Sequence, residues 1–281
     1  MTSLTTTIII GAMKSGTTSL FYYLSEHPEI CASKEKELHF FSDDSRFERG
    51  LGWYQSMWNP EPTHKIALEA SPTYTMQPYR PNVPERIAAT EGLKFKFIYI
   101  ARNPVGRFES HVRHEVAQHQ LTGNDVTTLR ESDEPIAYTQ YARQLESYVQ
   151  TFGKENVHVL LLEDLKKHPQ EELQKVCQFL GIDSTYHFQN VDVVRNSKDT
   201  LNLHPFLGQI RHLPFVKPLV ELISPRTRQS LRVMLSRKDP FEFNLTEQEK
   251  QDVIQKLLPD LRQFKQDYGI DVEEKWGISL D

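Results

Sequence analysis

The sequence has little of what marks a disulfide scaffold, a metal centre or a membrane span. Its two cysteines, Cys31 and Cys177, lie far apart in 281 residues and show no metal-ligand spacing. No run of about 18 apolar residues occurs, and no basic segment followed by a long apolar one opens the chain. We therefore expect buried reduced thiols, no membrane partner and a cytoplasmic location.

An excess of positive charge is also missing. The formal net charge is −5 at pH 7, which predicts no nucleic-acid partner, so an anionic ligand has to be attracted by local positive groups. No Gly/Ser-rich linker, low-complexity tract or internal repeat divides the chain. We therefore predict a single domain over residues 1–281 with its core at about 5–181, and the sequence leaves the oligomeric state open.

What the chain does contain is an alternation of apolar strands and helices. Strands are predicted at Thr5–Ile10, Ile30–Ala32, Lys65–Glu69, Phe95–Ala101 and Val157–Leu162. Helices are predicted at Thr17–Glu26, from Pro104 to about His119, at 136–152, and at 164–180 with Gly181 as the stop. This alternation predicts an α/β fold with a P-loop-like, mostly parallel central sheet and helices on both faces.

The pattern weakens after residue 190 and resumes in one amphipathic helix from about Thr246 to Tyr268. Its apolar face is expected to pack against the body through Val253, Leu257, Leu261 and Phe264. Pro259 falls inside this helix and is expected to kink or divide it.

The first predicted strand runs into a loop of small residues and then a helix. Backbone N–H groups at such a turn favour an anion, and Lys14 adds a full positive charge. Gly16 follows, with side-chain hydroxyls on Ser15, Thr17, Thr18 and Ser19. In nucleotide triphosphatases the lysine directly follows the last glycine, whereas Lys14 precedes Gly16 by two residues. The loop therefore predicts a phosphate-like ligand other than ATP bound in the usual way.

A second basic segment follows the central strand. Arg102 stands at the carboxyl end of that strand, where ligands bind in doubly wound sheets, and Ser110 lies about two turns into the next helix. The planar guanidinium suits a phosphate. The alternative is that Arg102 and Arg107 form surface salt bridges.

Together these segments resemble the PAPS-dependent sulfotransferases, in order, from about residue 5 to residue 181. Lys14-Ser-Gly-Thr-Thr-Ser-Leu is similar to their 5′-phosphosulfate loop, and the segment from Arg102 to Ser110 is similar to their 3′-phosphate motif. Lys36-Glu-Leu-His-Phe-Phe41 resembles a segment of heparan sulfate and related carbohydrate sulfotransferases. Glu163-Asp-Leu strengthens the resemblance to the sulfotransferase family.

The resemblance implies sulfuryl transfer from PAPS to an acceptor hydroxyl or amine, with 3′,5′-ADP as product and no metal. Glu37 takes the place of the family's catalytic base, and His39 is the rival base or an acceptor-orienting group. Lys14 would stabilise charge on the leaving oxygen. The region from about 190 to 281 would close over the nucleotide, and Arg195 is a candidate for contacting it.

The resemblance leaves the acceptor open between a carbohydrate, a small alcohol and a lipid. Gly52-Trp-Tyr54 resembles an aromatic segment near the acceptor cleft, although core packing is the commoner use of such residues. Ala70 stands where heparan-type enzymes often carry lysine, which argues against a large polyanion. Two other classes remain: a P-loop kinase or nucleotide triphosphatase, which magnesium dependence would reveal, and a nucleotide-binding module without catalysis.

Overall fold

Five parallel strands form the central sheet of the computed structural model, in the order β2-β3-β1-β4-β5. They are β1 Thr5–Gly11, β2 Ile30–Ala32, β3 Ile66–Ala70, β4 Lys94–Ala101 and β5 Val157–Leu161. The central strand β1 pairs with β3 on one side and with β4 on the other. The predicted α/β fold is confirmed, and each predicted strand is found to within one residue at either end.

The chain divides into two compact units. The structure describes residues 4–119, 121–122, 124–189, 191, 202–203, 236–237 and 243–281. The first unit comprises residues 1–111, 131–194 and 245–281 and contains the five-stranded sheet, and the second comprises residues 112–130 and 195–244. In the second unit, β6 (Asn202–Leu203) pairs antiparallel with β7 (Ser236–Arg237).

Both faces of the five-stranded sheet are buried, which explains the continuous apolar runs in the sequence. Successive side chains of β1 point to opposite faces. Ile8 and Ile10 pack in one apolar cluster together with Phe97, whereas Ile9 and Ile98 belong to a second cluster on the other face. All five of these side chains are fully buried.

Helices follow the strands and connect them along the chain. In the first half of the chain they are α1 Thr17–Leu24, α2 Asp44–Phe47, α3 Gly50–Gln55, α4 Val83–Ala88 and α5 Pro104–His119. They continue with α6 Asn124–Glu131, α7 Glu134–Ala137, α8 Tyr141–Phe152, α9 Leu162–Lys167 and α10 Pro169–Leu180. The chain ends with α11 Glu247–Tyr268 and α12 Val272–Trp276, and short 3₁₀ turns lie at Pro72–Thr75 and Lys154–Asn156.

Two predicted helices are each divided into two. The helix predicted at 136–152 is split into α7 and α8. The carboxylate of Asp260, on the distant helix α11, caps the start of α8, because it accepts hydrogen bonds from the backbone N–H groups of Ala142 (3.2 Å) and Arg143 (2.9 Å). The helix predicted at 164–180 breaks at His168, since Pro169 cannot donate a backbone hydrogen bond and starts α10 instead.

The predicted C-terminal helix is confirmed as α11. Thr246 and Glu249 form a capping box at its start, and Gly269 ends it with a φ of 67°. The four apolar residues predicted to pack are all buried: Val253, Leu257, Leu261 and Phe264. Of the two expectations for Pro259, a kink or a division, the division does not occur, because α11 runs through Pro259 from Glu247 to Tyr268.

Both thiols are reduced and buried, as expected. Burial raises the pKa of the Cys177 thiol to about 12, which keeps it protonated. Among the described helices, none combines the length and apolar character that a bilayer crossing requires.

Candidate active site

The candidate residues come together at the carboxyl edge of the sheet. All five strands are parallel, so the segments that follow them leave at the same edge. These segments hold Lys14 after β1, Glu37 after β2, Arg102 after β4 and Glu163 after β5. The 3₁₀ turn after β3 is tied to β1, because the Thr75 hydroxyl donates to the carbonyl of Ile10 at 2.7 Å.

The loop after β1 is a tight turn that only glycine fits at its last position. The Ala12 N–H donates to the Ile100 carbonyl (2.9 Å), and the Ser15 N–H donates back to the Ala12 carbonyl (3.1 Å). Gly16 has a φ of 94°, and a Cβ there would lie 2.7 Å from Cδ1 of Leu162. The turn delivers the chain into α1 with its first backbone N–H groups unpaired by the helix, which favours an anion.

The hydroxyls of this loop differ in their surroundings. Ser15 is fully buried, and its Oγ has no hydrogen-bond partner in the described part of the chain. Thr17 is buried, Ser19 is half-buried and Thr18 is exposed. A buried hydroxyl without a partner costs free energy unless a ligand satisfies it. The loop therefore fits a bound phosphate-like group.

Arg102 is placed against the loop after β1. Its Nη1 donates to the carbonyl of Lys14 at 3.1 Å, and the hydroxyl of Tyr141 donates to the carbonyl of Arg102 at 2.6 Å. Ser110 lies on α5, half-buried, on the helix that starts just after Arg102. Lys14 has a φ of 68°, so this hydrogen bond supports a backbone conformation that is costly for lysine.

Arg107 turns out to be a structural part of the site, not a surface residue. It is fully buried, and its guanidinium donates to the Thr139 hydroxyl (2.8 Å) and to the carbonyls of Pro135 (2.6 Å) and Met13 (3.5 Å). The hydrogen bond to the Met13 carbonyl holds the backbone of the loop after β1. Burial lowers the pKa of Arg107, yet an arginine keeps its charge.

A further cation that the sequence patterns did not indicate lies at this edge. Lys166 is an exposed residue of α9, directly after β5, and desolvation of its ammonium together with the positive charge of Arg102 lowers its pKa. The nearby Glu163 carboxylate accepts the N–H of Asn103 at 3.0 Å. The sequence could have indicated this lysine, since Lys166 directly follows the motif Glu163-Asp-Leu165.

The segment after β2 carries the candidate acid and base groups. Glu37 and His39 both have positive φ values, 66° and 52°. The Lys36 ammonium forms a salt bridge with Oε1 of Glu37, and Nε2 of His39 lies 3.7 Å from Oε2 of the same carboxylate. The predicted residues Glu37 and His39 are thus close together, and Lys36 contacts the same carboxylate.

His39 is oriented by the turn after β3. Its Nδ1 lies 2.9 Å from the hydroxyl of Thr73, whose oxygen is 2.8 Å from the Ser42 hydroxyl. Burial lowers the pKa of His39, against the opposing effect of the Glu37 carboxylate. The imidazole is therefore neutral at pH 7, and the Nε2 position faces Glu37.

The aromatic segment after β2 is divided between core and surface. Tyr54 is buried, whereas Trp53 is half-buried and lies under the guanidinium groups of Arg49 (4.1 Å to the ring centroid) and Arg46 (5.6 Å). Arg195 lies outside the described residues. Among the described residues, no group of three or more His, Cys, Asp or Glu side chains is positioned to hold a metal ion.

The chain is similar to curated carbohydrate sulfotransferases. Human heparan sulfate glucosamine 3-O-sulfotransferase 5 is 27% identical over 187 residues, which are 62% of this chain and 53% of that protein. Human heparan sulfate glucosamine 3-O-sulfotransferase 6 is 30% identical over 183 residues, which are 62% of this chain and 52% of that protein. The chain thus spans about half the length of the curated relatives it matches.

The predicted cytoplasmic location is wrong. The heparan sulfate 3-O-sulfotransferases that this chain resembles are enzymes of the Golgi lumen.

The fold and the family follow from two further likenesses. A crystal structure of a sulfotransferase from Alicyclobacillus acidocaldarius shares the fold with a TM-score of 0.65, covering 97% of this chain and 98% of that chain at 20% identity. The family model of the sulfotransferase domain matches residues 4–225, well over half of the 281 residues. The chain therefore belongs to the sulfotransferase domain family.

Proposed function

We propose that this protein transfers a sulfuryl group from PAPS to a hydroxyl of a carbohydrate acceptor. The observation that carries the proposal is the placement of Glu37, with Lys36 and His39, at the same sheet edge as the anion-binding loop of Lys14 and Gly16. Family membership supports the reaction class. The names of the curated relatives support a carbohydrate hydroxyl as the acceptor.

The donor would be held by the loop after β1 and by the start of α5. When bound, PAPS supplies the sulfuryl group and leaves as 3′,5′-ADP. The unpaired Ser15 hydroxyl and the N–H groups of Gly16 and Thr17 suit the 5′-phosphosulfate end. Arg102 and Ser110 suit the 3′-phosphate.

Lys14 is assigned the stabilisation of charge on the leaving oxygen. An ammonium and a set of backbone N–H groups fixed in place before the reaction lower the barrier because they need no reorganisation. The hydrogen bond from Arg102 to the carbonyl of Lys14 holds this backbone in position. One hydrogen bond thus connects Arg102, which suits donor binding, with Lys14, which is assigned the stabilisation of the leaving group.

Glu37 is assigned the role of general base. Its carboxylate is partly exposed, with 42% of the side chain accessible, so an acceptor hydroxyl has access to it. The Lys36 ammonium forms a salt bridge with this carboxylate. A positioned base contributes roughly 10² to 10⁴-fold. The neutral His39 would orient the acceptor or Glu37, since a neutral imidazole can donate one hydrogen bond and accept another.

A P-loop kinase is not favoured, because the lysine of this loop precedes its last glycine and the family model matches sulfotransferases. A binding module without catalysis is not favoured either, since it has no use for Glu37.

The proposal is tested by labelled transfer. Purified protein is incubated with ³⁵S-labelled PAPS and, in parallel, a heparan-type oligosaccharide, an uncharged oligosaccharide and a small alcohol, all in EDTA. Label in a saccharide that is lost in Glu37→Gln supports the proposal. No thermal stabilisation by PAPS or 3′,5′-ADP, together with stabilisation by ATP and Mg²⁺, would overturn it.

A further inference from the structure

A buried carboxyl group that the proposed mechanism does not use lies next to the catalytic segment. Glu69 is on β3, between β2 and β1, and has no accessible surface. Three hydroxyls act on it. The Tyr54 hydroxyl lies 3.0 Å from its Oε1 and the Ser71 hydroxyl lies 3.4 Å from its Oε2, while the Tyr74 hydroxyl is near enough to lower the pKa of the carboxyl group.

Two of these hydroxyls connect Glu69 to the backbone of the segment after β2. The His39 N–H donates to the Ser71 hydroxyl at 3.1 Å, and the Phe41 N–H donates to the Tyr74 hydroxyl at 3.2 Å. A backbone N–H can only donate, so each hydroxyl accepts on this side and directs its own proton to another acceptor. For Ser71 that acceptor is Glu69.

The segment needs such support because its backbone is strained. Glu37 and His39 both lie in the left-handed region, which is costly for a non-glycine residue. Between Glu37 and Phe41, three backbone N–H groups donate to partners outside these five residues. Glu37 donates to the Ala70 carbonyl at 2.9 Å, and the other two are those of His39 and Phe41. Two of the three contacts therefore lead to Glu69.

We propose that Glu69 is a positioning residue for sulfuryl transfer. Through Ser71 and Tyr74 it fixes the backbone at His39 and Phe41, and so sets where the Glu37 carboxylate and the His39 imidazole lie. The inference rests on the proposed function, because it takes Glu37 as the base.

Tyr54 provides a matched control. Its hydroxyl contacts the same carboxyl group, but its ring stacks on Phe40 at 4.7 Å between centroids, and phenylalanine keeps that stacking. Tyr54→Phe and Tyr74→Phe thus each remove one buried phenol hydroxyl from Glu69. Only Tyr74→Phe also removes a backbone anchor of the catalytic segment.

The first measurement compares the kinetics of these two variants. Tyr74→Phe is expected to lower kcat by about tenfold or more, because small displacements of a base are costly, while KM for PAPS stays within about twofold. Tyr54→Phe is expected to keep kcat within about twofold even if its melting temperature falls equally. Equal losses of kcat in the two variants, or none in Tyr74→Phe, would overturn the proposal.

The second measurement does not depend on activity. Amide hydrogen exchange at Phe41 is expected to accelerate by about fivefold or more in Tyr74→Phe, and at His39 in Ser71→Ala, since each loses one hydrogen bond. Tyr54→Phe leaves both amides unchanged. Unchanged exchange in all three variants contradicts the anchoring. If the wild-type protein transfers no sulfuryl group, the proposed function fails, and the exchange rates alone still decide whether the Ser71 and Tyr74 hydroxyls beside Glu69 anchor this segment.

Discussion

At the scale of single residues, the site separates into a side that binds the donor and a side that activates the acceptor. Lys14 and Arg102 share the first side through the hydrogen bond to the Lys14 carbonyl, while Glu37 and His39 form the second. Substitutions on the two sides should therefore affect different kinetic constants.

Lys14 and Arg102 are expected to differ in what they contribute. Lys14→Ala removes charge at the leaving oxygen, so kcat should fall by about 10² to 10³-fold with a small change in the affinity for 3′,5′-ADP. Arg102→Ala should mainly weaken that affinity, because a guanidinium on a phosphate contributes to ground-state binding. Calorimetry with 3′,5′-ADP and steady-state kinetics separate the two. Similar losses of affinity in both variants would contradict this division of roles.

Glu37 and His39 can be ranked by one pair of substitutions. Glu37→Gln keeps the shape of the side chain and removes the base, so transfer should fall by about 10² to 10⁴-fold while 3′,5′-ADP still binds. His39→Gln, which keeps one hydrogen-bonding atom near Thr73, should cost less. If His39→Gln abolished transfer and Glu37→Gln did not, the imidazole would be the base.

At the scale of elements, local sequence patterns predicted the strands and the loop, whereas contacts between distant segments were not predicted. The strands followed from apolar runs, and the phosphate loop followed from a strand, small residues and a helix start in sequence. The division at 138–140 depends on Asp260, more than 100 residues away, and could not be seen locally. The burial of the polar residues Arg107 and Glu69 was not predicted for the same reason, since their hydrogen-bond partners come from other segments of the chain.

The turn between β1 and α1 offers a stability test. Gly16→Ala adds a Cβ that would lie 2.7 Å from Cδ1 of Leu162, at a φ of 94° that alanine adopts at a cost. We expect a loss of roughly 1 to 3 kcal/mol in the free energy of unfolding. Gly52→Ala, inside α3 with no atom within 4 Å of the added Cβ, is the control and should be neutral or stabilising. Equal unfolding midpoints in urea for the two variants would show that the turn tolerates a side chain.

Metal independence is expected to hold for the whole catalytic cycle. Lys14, Arg102 and the loop N–H groups together supply positive charge where the proposed reaction needs it. Adding EDTA should therefore change kcat by less than about twofold, and restoring Mg²⁺ should add little. A loss of activity in EDTA that Mg²⁺ reverses would instead favour the nucleotide triphosphatase alternative. The assay with labelled PAPS is repeated in both buffers.

At the scale of the whole molecule, stability should depend on pH through buried ionisable groups. Burial raises the pKa of Glu69 to about 8, so the folded protein retains a proton that the unfolded chain releases above about 4.5. Asp260, whose pKa burial raises to about 6, acts in the same direction up to that pH. Burial lowers the pKa of His158 to about 4 and also lowers the pKa of His39, so these groups act oppositely until the unfolded imidazoles have lost their protons, above about pH 7.

The range from pH 7 to 8 therefore reports chiefly on Glu69. The native state binds more protons than the unfolded state there, so the free energy of unfolding should fall as pH rises, by up to about 1.4 kcal/mol per pH unit. Urea unfolding at closely spaced pH values measures this slope. Glu69→Gln removes the titrating group, so its curve should be flatter over the same range, even if the variant is less stable at every pH. A wild-type curve that is flat or rises from pH 7 to 8 would mean that Glu69 is ionised in the folded protein, held by the hydroxyl donors of Tyr54 and Ser71.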